Sequence, residues 1–348
     1  MTRCDIAYPS MYVMRARITY ILTALGLTAA TLGYAVPYTP TEALNGAMTD
    51  VVVALNEHGV IRLRPEIGLP PSTLVEFAAA LGRARSGQEC GFIASVPACS
   101  RIPGVTIGEH AGAPLAPDGA AFALSNVHHD DVDALGIAPM YRSIEAWEGS
   151  GAVGADANLA AVWHQDDQFR ERPAAISLLY CVATPPPGVA DTTYADTRAA
   201  FAMLPEALRA RLCTDDGTRY REAMHSLNTV DGVGDGTAKG YWHPLVLDSS
   251  LGPSLYLGSR NAQVAGLGEA ESQELLDALI VHTTTAAAPL YAHAHERGGL
   301  LISCNRMALH TATLGQARRA TGRADARHLI RVLVEEPTPL SRWAAVPG

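Results

Sequence analysis

The feature that most constrains the fold is a series of apolar, strand-like runs in the second half of the chain. Residues 174–183 (AAISLLYCVA) form an unbroken apolar run, and residues 300–305 and 328–336 close the chain as further strands. Apolar runs of this length are typical of buried strands. Because they do not alternate regularly with helices, the pattern argues against a doubly wound parallel sheet. We therefore expect a mainly β (α+β) fold.

Helix signals flank these strands. Thr39-Pro40-Thr41-Glu42 has the form of a capping box with proline at the first helical position, which predicts a helix start. We expect this helix to end near Gly59, before a strand at residues 60–64. The pattern also predicts helices at residues 71–81, stopped by Gly82, at 196–212, capped by Asp196, and at 269–283.

Length and composition bear on the domain organisation. A chain of 348 residues allows two domains of about 150 residues or one elaborated β-rich domain. Hydrophobic residues make up 48% and charged residues 18%, which excludes wholesale disorder. Residues 84–160 are rich in Gly, Ala and Pro, and long loops of this kind often form lids. We predict a single domain over residues 39–348 with a variable lid at residues 84–160.

The N-terminal residues 1–38 contain an uncharged run at residues 18–36, behind Arg15 and Arg17. Such a run fits a signal peptide or a short membrane anchor. Its threonines, glycines and tyrosines equally fit an N-terminal strand that packs on the core, and we favour the strand. The chain has six cysteines and no CxxC pair, which favours reduced thiols and a cytoplasmic location.

Charge narrows the class of partner. The chain carries 26 basic and 35 acidic residues, a net charge of −9, which argues against nucleic-acid binding through a broad basic face. We expect a small-molecule substrate and no nucleic-acid or membrane partner. The sequence is compatible with a homo-oligomer.

The segment Trp163-His164-Gln165-Asp166-Asp167-Gln168-Phe169 carries the main chemical signal. Residues i and i+2 of an extended strand point to the same side, so His164 and Asp166 can offer an imidazole and a carboxylate to one ion. His310, 146 positions later, is the leading candidate for a third ligand. Two histidines and one carboxylate form the ligand set of non-haem Fe(II) oxygenases. An HxD pair alone is a weak signal.

A wider set of segments resembles the taurine dioxygenase and chlorophenoxyacetate dioxygenase (TauD/TfdA) family of Fe(II)/2-oxoglutarate enzymes. The resemblance covers roughly residues 40–336 and is weakest between 84 and 160. The segments follow the family's order: WHQDDQF at 163–169, DTTYAD at 191–196, Leu204-Pro205-Glu206, Gly266-Leu267 with the following helix, GGLLISCNRMALH at 298–310, and RHLIRV at 327–332.

The resemblance implies a double-stranded β-helix (jelly roll, cupin-like) with flanking helices and a variable lid. It also implies that Fe(II), 2-oxoglutarate and O2 are used to hydroxylate or desaturate a small molecule, with release of succinate and CO2. The low charge of residues 84–160 indicates an apolar or mixed substrate, which favours a role in specialised metabolism. The site residues implied by the resemblance are the iron ligands His164, Asp166 and His310, then Thr192 and Arg327 for the distal carboxylate of 2-oxoglutarate, and Arg331 near the iron-bound end of the cosubstrate or the substrate's anion.

Two departures from the family pattern affect these assignments. Ser303-Cys304 stand where the family usually has tryptophan-aspartate before the asparagine-arginine pair. The link at residues 315–326 is longer than usual, so Arg318, Arg319 and Arg323 rival Arg327 for the cosubstrate carboxylate. We prefer Arg327 because the apolar pattern of a strand follows it directly.

Other interpretations remain open at this point. A metal-dependent hydrolase could use the same two histidines and carboxylate, and a non-catalytic binding protein could keep the same scaffold. His128-His129-Asp130-Asp131 is interpreted as a solvated loop, because four consecutive side chains do not easily meet at one ion. His293 and His295 are interpreted as surface residues before an exposed turn, and residues 232–240 as a flexible glycine-rich loop.

Overall fold

The computed structural model describes residues 32–93, 120–125, 127, 133–141, 163–168, 170–212, 219–222, 241–247, 252–257, 262–285, 290–312, 320–335, 337 and 340. All of them belong to one unit, Leu32–Gly348. Residues 1–31, the cluster at 128–131, the glycine-rich run at 232–240, Arg318 and Arg319 lie outside the described residues.

The strands and helices are numbered in chain order. The strands are β1 (Tyr34–Val36), β2 (Val60–Leu63), β3 (Ala121–Ser125), β4 (Ala174–Ala183), β5 (Thr192–Asp196), β6 (Arg219–Glu222), β7 (Trp242–Pro244), β8 (Val246–Leu247), β9 (Ser254–Leu255), β10 (Ala262–Val264), β11 (Leu290–His293), β12 (Leu300–Cys304), β13 (Ala308–Ala312) and β14 (His328–Glu335). The α-helices are α1 (Pro40–Glu42), α2 (Met48–His58), α3 (Pro71–Ser86), α4 (Thr197–Ala202), α5 (Glu206–Leu212) and α6 (Glu269–Thr285). A π-helical turn (Ala43–Ala47) joins α1 to α2, and a 3-10 turn (Pro139–Tyr141) follows β3.

A six-stranded mixed sheet in the order β1-β2-β12-β4-β14-β3 forms the main layer. The predicted apolar strand is β4, which pairs antiparallel with β12 on one side and β14 on the other. Side chains of these three strands are almost all buried on both faces, as continuous apolar runs require. The expectation of buried strands in the second half of the chain is therefore confirmed.

A three-stranded antiparallel sheet, β11-β5-β13, packs on one face of the main sheet. Leu179, Cys181 and Leu301 of the main sheet share a buried cluster with Tyr194 and Ala308 of the small sheet. Helices α2 and α3 contribute Leu55, Phe77 and other side chains to the cluster that includes the main sheet's Ile176 and Ile302. Helix α6 packs in a separate cluster with Ala195 and Leu309 of the small sheet. The two sheets are thus covered by helices, and their facing surfaces meet in between.

The start of the first helical segment agrees with the sequence prediction. The Thr39 hydroxyl accepts a hydrogen bond from the Glu42 amide at 3.2 Å, and the Glu42 carboxylate accepts one from the Thr39 amide at 2.8 Å. This is the reciprocal capping box. The segment ends at Gly59, whose φ of 73° is a conformation that glycine adopts without a steric penalty.

Two helix predictions need correction. Helix α3 does not stop at Gly82 but continues to Ser86 and ends at Gly87, which has a φ of 72°. Gly82 lies inside the helix, where a Cβ would approach Cys90 and Val334 to 3.1 Å, so the glycine allows close packing. The helix predicted from Asp196 to Leu212 is divided into α4 and α5 around Leu204-Pro205.

The N-terminal run and the lid segment each contribute a strand to the main sheet. β1 covers the end of the run at residues 18–36 and pairs parallel with β2. β3, which the sequence pattern did not predict, lies within residues 84–160 and pairs antiparallel with β14 at the sheet edge. In the part of the chain that is described, no helix is both long enough and apolar enough to cross a membrane.

Candidate active site

Three side chains predicted from the sequence converge between the sheets. The Nε2 atoms of His164 and His310 lie 3.8 and 3.9 Å from Oδ1 of Asp166, and the three potential ligand atoms all lie within 4.8 Å of one another. Within the described ranges, no other group of histidine, cysteine and carboxylate side chains comes this close together. The residues fit a metal ion, because imidazole nitrogen and carboxylate oxygen suit a divalent transition metal.

Backbone pairing brings the two histidines together across 146 positions of sequence. His164 and His310 form an isolated antiparallel bridge in which each amide donates to the other's carbonyl at 2.9 Å. Their rings consequently lie side by side, with centroids 4.3 Å apart. On the next strand, Tyr194 of β5 lies opposite His310 and stacks on its ring at 5.6 Å. Ser303 of the main sheet lies close enough to Tyr194 to influence the pKa of its hydroxyl.

Asn305 holds the turn that carries Asp166. Its Oδ1 accepts a hydrogen bond from the Asp166 amide at 2.7 Å, and its Nδ2 donates to the carbonyls of Asp166 and Ala174, both at 2.8 Å. Gln165 is buried on the opposite side of the segment, where it donates to the Asn305 carbonyl at 2.6 Å and accepts from the Leu257 amide at 2.8 Å. The Asp166 carboxylate is therefore fixed by its backbone as well as by its side-chain contacts.

Asp167 adopts an unusual backbone conformation within the same turn. Its φ of 57° lies in the left-handed region that few residues other than glycine, asparagine and aspartate occupy. Its carboxylate accepts a hydrogen bond from Nε of Arg170 at 3.1 Å. Backbone strain of this kind tends to occur at functional sites, and here it reverses the chain immediately after Asp166.

The charges around Asp166 keep its carboxylate ionised. Burial would raise its pKa, but the positive charge of Arg331, and that of His310 and His164 when these are protonated, outweigh burial and lower the pKa to about 2. Arg331 of β14 places Nη1 3.4 Å from Oδ1 of Asp166. Burial raises the pKa of neighbouring Asp167, and the charge of Asp166 adds to that effect.

His310 is held in the neutral form that a metal ligand requires. Burial lowers its pKa to about 3, and the adjacent His164 contributes in the same direction. The His310 side chain is 14% exposed and that of His164 is 30% exposed. The three-residue cluster is therefore more accessible to solvent at His164 than at His310.

The residues predicted to bind the cosubstrate carboxylate lie on the same inner surface. Thr192 and Tyr194 are two positions apart on β5 and therefore face the same way as His310. Arg327 immediately precedes β14, and burial lowers the pKa of its guanidinium to about 10, so it stays charged at neutral pH. Cys181 and Tyr194 are near enough to influence that pKa. Of the rival arginines, Arg323 is exposed on a turn.

The interpretation of His293 and His295 as surface residues is wrong. Each side chain is only 6% exposed. His293 is held by Tyr291, whose hydroxyl is 2.8 Å from its Nδ1, and Nε2 of His295 is 3.1 Å from the Thr192 hydroxyl. No sequence pattern indicated this burial, because His293 ends a short strand and His295 precedes Glu296-Arg297-Gly298, which is typical of an exposed turn.

Asn305 and Gln165 were not identified as site residues from the sequence alone. The asparagine belongs to the Asn305-Arg306 pair that carries the family resemblance, so a signal for it existed. Gln165 alternates with His164 and Asp166 along the segment, and its buried hydrogen bonds show that this opposite face anchors the segment. The structure thus explains why polar residues occupy both faces.

Asn305→Ala is expected to weaken divalent-metal binding by about 10- to 100-fold, as changes behind metal ligands typically do. It should also lower the free energy of unfolding by about 2–4 kcal/mol, since buried polar groups lose their partners. Equilibrium metal titration and urea unfolding measure the two effects. Asn56→Ala, outside the site, is the control and should leave metal affinity unchanged. A destabilised Asn305→Ala protein with wild-type metal affinity would show that Asn305 does not position Asp166.

Comparison with known proteins supplies independent findings. A family model described as "Taurine catabolism dioxygenase TauD, TfdA family" matches residues 26–333. An alpha-ketoglutarate-dependent 2,4-dichlorophenoxyacetate dioxygenase from Cupriavidus pinatubonensis is 32% identical over 168 residues, which is 45% of this chain and 55% of that protein. A protein of the same description from a Burkholderia species is 30% identical over 173 residues, 45% of this chain and 54% of that protein. The chain therefore matches about half the length of these curated relatives.

Solved structures extend the likeness in fold. A crystal structure of a taurine dioxygenase from Burkholderia xenovorans superimposes with a TM-score of 0.59 at 19% identity, covering 89% of this chain and 90% of that one. A crystal structure of AAD-2 in complex with Mn(II) and N-oxalylglycine gives a TM-score of 0.58 at 18% identity, covering 89% and 98%. At these identities the likeness concerns the fold.

Proposed function

Because the chain belongs to the TauD/TfdA dioxygenase family, we propose that it is an Fe(II)- and 2-oxoglutarate-dependent oxygenase that hydroxylates or desaturates a small molecule. The observation that carries the proposal is the convergence of His164, Asp166 and His310 beside the surface that holds Thr192 and Arg327. A metal-dependent hydrolase would not need Thr192 and Arg327, because it binds no 2-oxoglutarate. In a hydroxylation, the substrate, O2 and 2-oxoglutarate give the hydroxylated product, succinate and CO2.

The proposed metal ligands are His164, Asp166 and His310. Two neutral imidazoles and one carboxylate leave part of the coordination sphere open, and iron bound there would supply the activation of O2 and the binding of the 2-oxo acid. The protein's own contribution is to keep the ligands in place. Asn305 fixes the backbone of Asp166, and Arg331 keeps its carboxylate charged.

Thr192 and Arg327 are the proposed partners of the distal carboxylate of 2-oxoglutarate. A guanidinium can bind a carboxylate through two parallel hydrogen bonds, and the Thr192 hydroxyl can add a third. Burial of Arg327 strengthens such a pair, because charges interact more strongly away from water. Arg331, 3.4 Å from Asp166, is proposed to contact the metal-side end of the cosubstrate or an anionic group of the substrate.

The finer architecture and setting are also part of the proposal. The facing sheets and their covering helices are consistent with a double-stranded β-helix, formed by a single domain over residues 39–348 with a variable lid within residues 84–160. We propose a cytoplasmic enzyme of specialised metabolism that acts on a small molecule without a nucleic-acid or membrane partner. The sequence remains compatible with a homo-oligomer.

Anaerobic titration of the purified protein tests the proposed function. Fe(II) together with 2-oxoglutarate should give the weak visible charge-transfer absorption of a metal-chelated 2-oxo acid, and admitting O2 should yield succinate and CO2. A protein that gives no absorption band and no succinate, but hydrolyses substrates with zinc, would instead support the hydrolase alternative.

The reaction type has its own test, because Asp166 occupies the position that halogenases of this kind leave open for a halide. Turnover with the true substrate should insert oxygen or remove two hydrogens, and added halide should not change the product. Product masses recorded with chloride and with bromide measure this. Asp166→Gly should lose most activity, since the metal loses an anionic ligand. A halogenated product from the wild-type enzyme would contradict the assignment while leaving the cosubstrate proposal intact.

A further inference from the structure

His295 lies at the point where the small sheet meets the proposed carboxylate pocket. β11 pairs with β5 in a register that sets His293 opposite Thr192, so the residues that follow β11 pass the beginning of β5. Nε2 of His295 reaches the Thr192 hydroxyl at 3.1 Å, and both side chains are buried, with exposures of 6% and 4%. This hydrogen bond joins Thr192, which is proposed to bind the cosubstrate, to His295, which has no role in the proposed function.

The net charge around Thr192 and Arg327 depends on the protonation of His295. Burial lowers the pKa of His295 well below its ordinary value, and the positive charge of Arg327 and the neighbouring His293 add to the effect. A neutral His295 leaves the Arg327 guanidinium as the positive group that faces a carboxylate there. Arg327 must also be near His295 to act on it in this way.

The direction of the hydrogen bond matters for binding an anion. A neutral imidazole nitrogen either donates or accepts, and a hydroxyl has a single proton to give. If Nε2 accepted that proton, Thr192 would turn only oxygen lone pairs toward a carboxylate. If the Nε2–H donates to Oγ1, the Thr192 hydroxyl is free to donate to the carboxylate. An anionic ligand therefore favours the second arrangement.

We infer that His295 is a positioning residue for the 2-oxo acid cosubstrate, which directs the Thr192 hydroxyl proton toward the distal carboxylate beside Arg327. The inference rests on the proposed function. It assigns to His295 an effect on affinity for dicarboxylates that acts through Thr192, with no direct part in the oxidation. The alternative is that the ring only fills space against His293, which it meets edge-on with centroids 4.8 Å apart.

Equilibrium binding of 2-oxoglutarate to the anaerobic Fe(II) protein tests the inference without turnover. His295→Phe keeps a ring and removes the hydrogen bond, so the Kd should rise about five- to tenfold, the effect of about one hydrogen bond. His295→Gln retains an amide donor and should recover part of the loss. His293→Phe, which keeps an aromatic ring at a position of equal burial, is the matched control and should stay within about twofold of wild type.

Three further measurements separate positioning from packing. The 2-oxo acid 2-oxopentanoate lacks the distal carboxylate, so its Kd should be the same for wild type and His295→Phe. In a double-mutant cycle with Thr192→Val, the double variant should bind 2-oxoglutarate no more than about twofold more weakly than Thr192→Val alone, because coupled residues are not additive. At saturating 2-oxoglutarate, the kcat of His295→Phe should equal that of the wild type.

The outcomes distinguish this inference from the proposed function. Equal weakening of both 2-oxo acids, multiplicative effects in the cycle, or an unchanged Kd for His295→Phe would each overturn the positioning role alone. If the wild-type protein does not bind 2-oxoglutarate with Fe(II), the proposed function falls and the inference falls with it. His295→Leu is the second variant in case His295→Phe does not fold, and the same outcomes apply to it.

Discussion

His310→Ala should abolish Fe(II) binding and with it the charge-transfer absorption and succinate formation. The substitution removes a neutral imidazole from a three-ligand group, so the loss should exceed the about 100-fold upper range for residues that only support ligands. His164→Ala and Asp166→Asn should behave in the same way, the latter because the anionic ligand is lost while the side-chain shape is kept. Equilibrium metal titration and anaerobic absorption spectra measure the effect.

His282→Ala is the control for this experiment, since His282 lies on α6 and contacts the Ala200 carbonyl outside the group. It should retain wild-type metal affinity. If His310→Ala and His164→Ala both keep the absorption band, the ligand assignment is wrong. Loss of the band in only one of them would mean that another side chain completes the site.

Arg327→Ala should raise the Kd for 2-oxoglutarate by about 100-fold, because a hydrogen-bonded ion pair in a buried setting is worth about 3 kcal/mol. Arg327→Lys keeps the charge and loses the two-pronged geometry, so its effect should be smaller. The affinity for 2-oxopentanoate, which lacks the distal carboxylate, should change little in either variant. Titration of the anaerobic Fe(II) form of the wild type and of each variant with each acid gives these Kd values.

Arg323→Ala is the matched control, as Arg323 belongs to the same connecting segment and is exposed on its turn. Its 2-oxoglutarate affinity should equal that of the wild type. If Arg323→Ala or Arg319→Ala weakens 2-oxoglutarate binding and Arg327→Ala does not, the register assigned to the segment before β14 is wrong.

The parts of the fold that depend on neighbouring residues in the sequence were predictable. The capping box at Thr39 and the glycine stop at Gly59 were confirmed because each involves groups within a few residues. The buried strands were predictable since continuous apolar runs have few other places in a folded chain. Glycine was ambiguous, because Gly82 and Gly87 are the same residue type within one helical pattern. Only the structure shows that Gly87 ends the helix with a φ of 72°, while Gly82 allows close packing on Cys90 and Val334.

In the candidate site, too, the features set by neighbouring residues were predictable and those set by distant residues were not. Alternation on an extended strand predicted that His164 and Asp166 share a side, and the order of motifs indicated His310 as their partner. Asn305's three hydrogen bonds, however, reach Asp166 and Ala174 across more than 130 residues, and no local pattern reports such a contact. The burial of His295 was mispredicted for the same reason, because its surroundings come from β5 and from Arg327.

The sequence by itself therefore determined the strand and helix segments, the family, and the residue types that offer a metal its ligands, since these follow from local periodicity and from motif order. Only the tertiary structure decided how close the ligand atoms come, which charges hold Asp166 ionised, and that His295 joins Thr192. The physical reason is that distance, burial and hydrogen-bond partners at this site are set where β5 meets β13 and β14. These two strands follow β5 by more than 100 residues, and the contacts form only when the sheets pack.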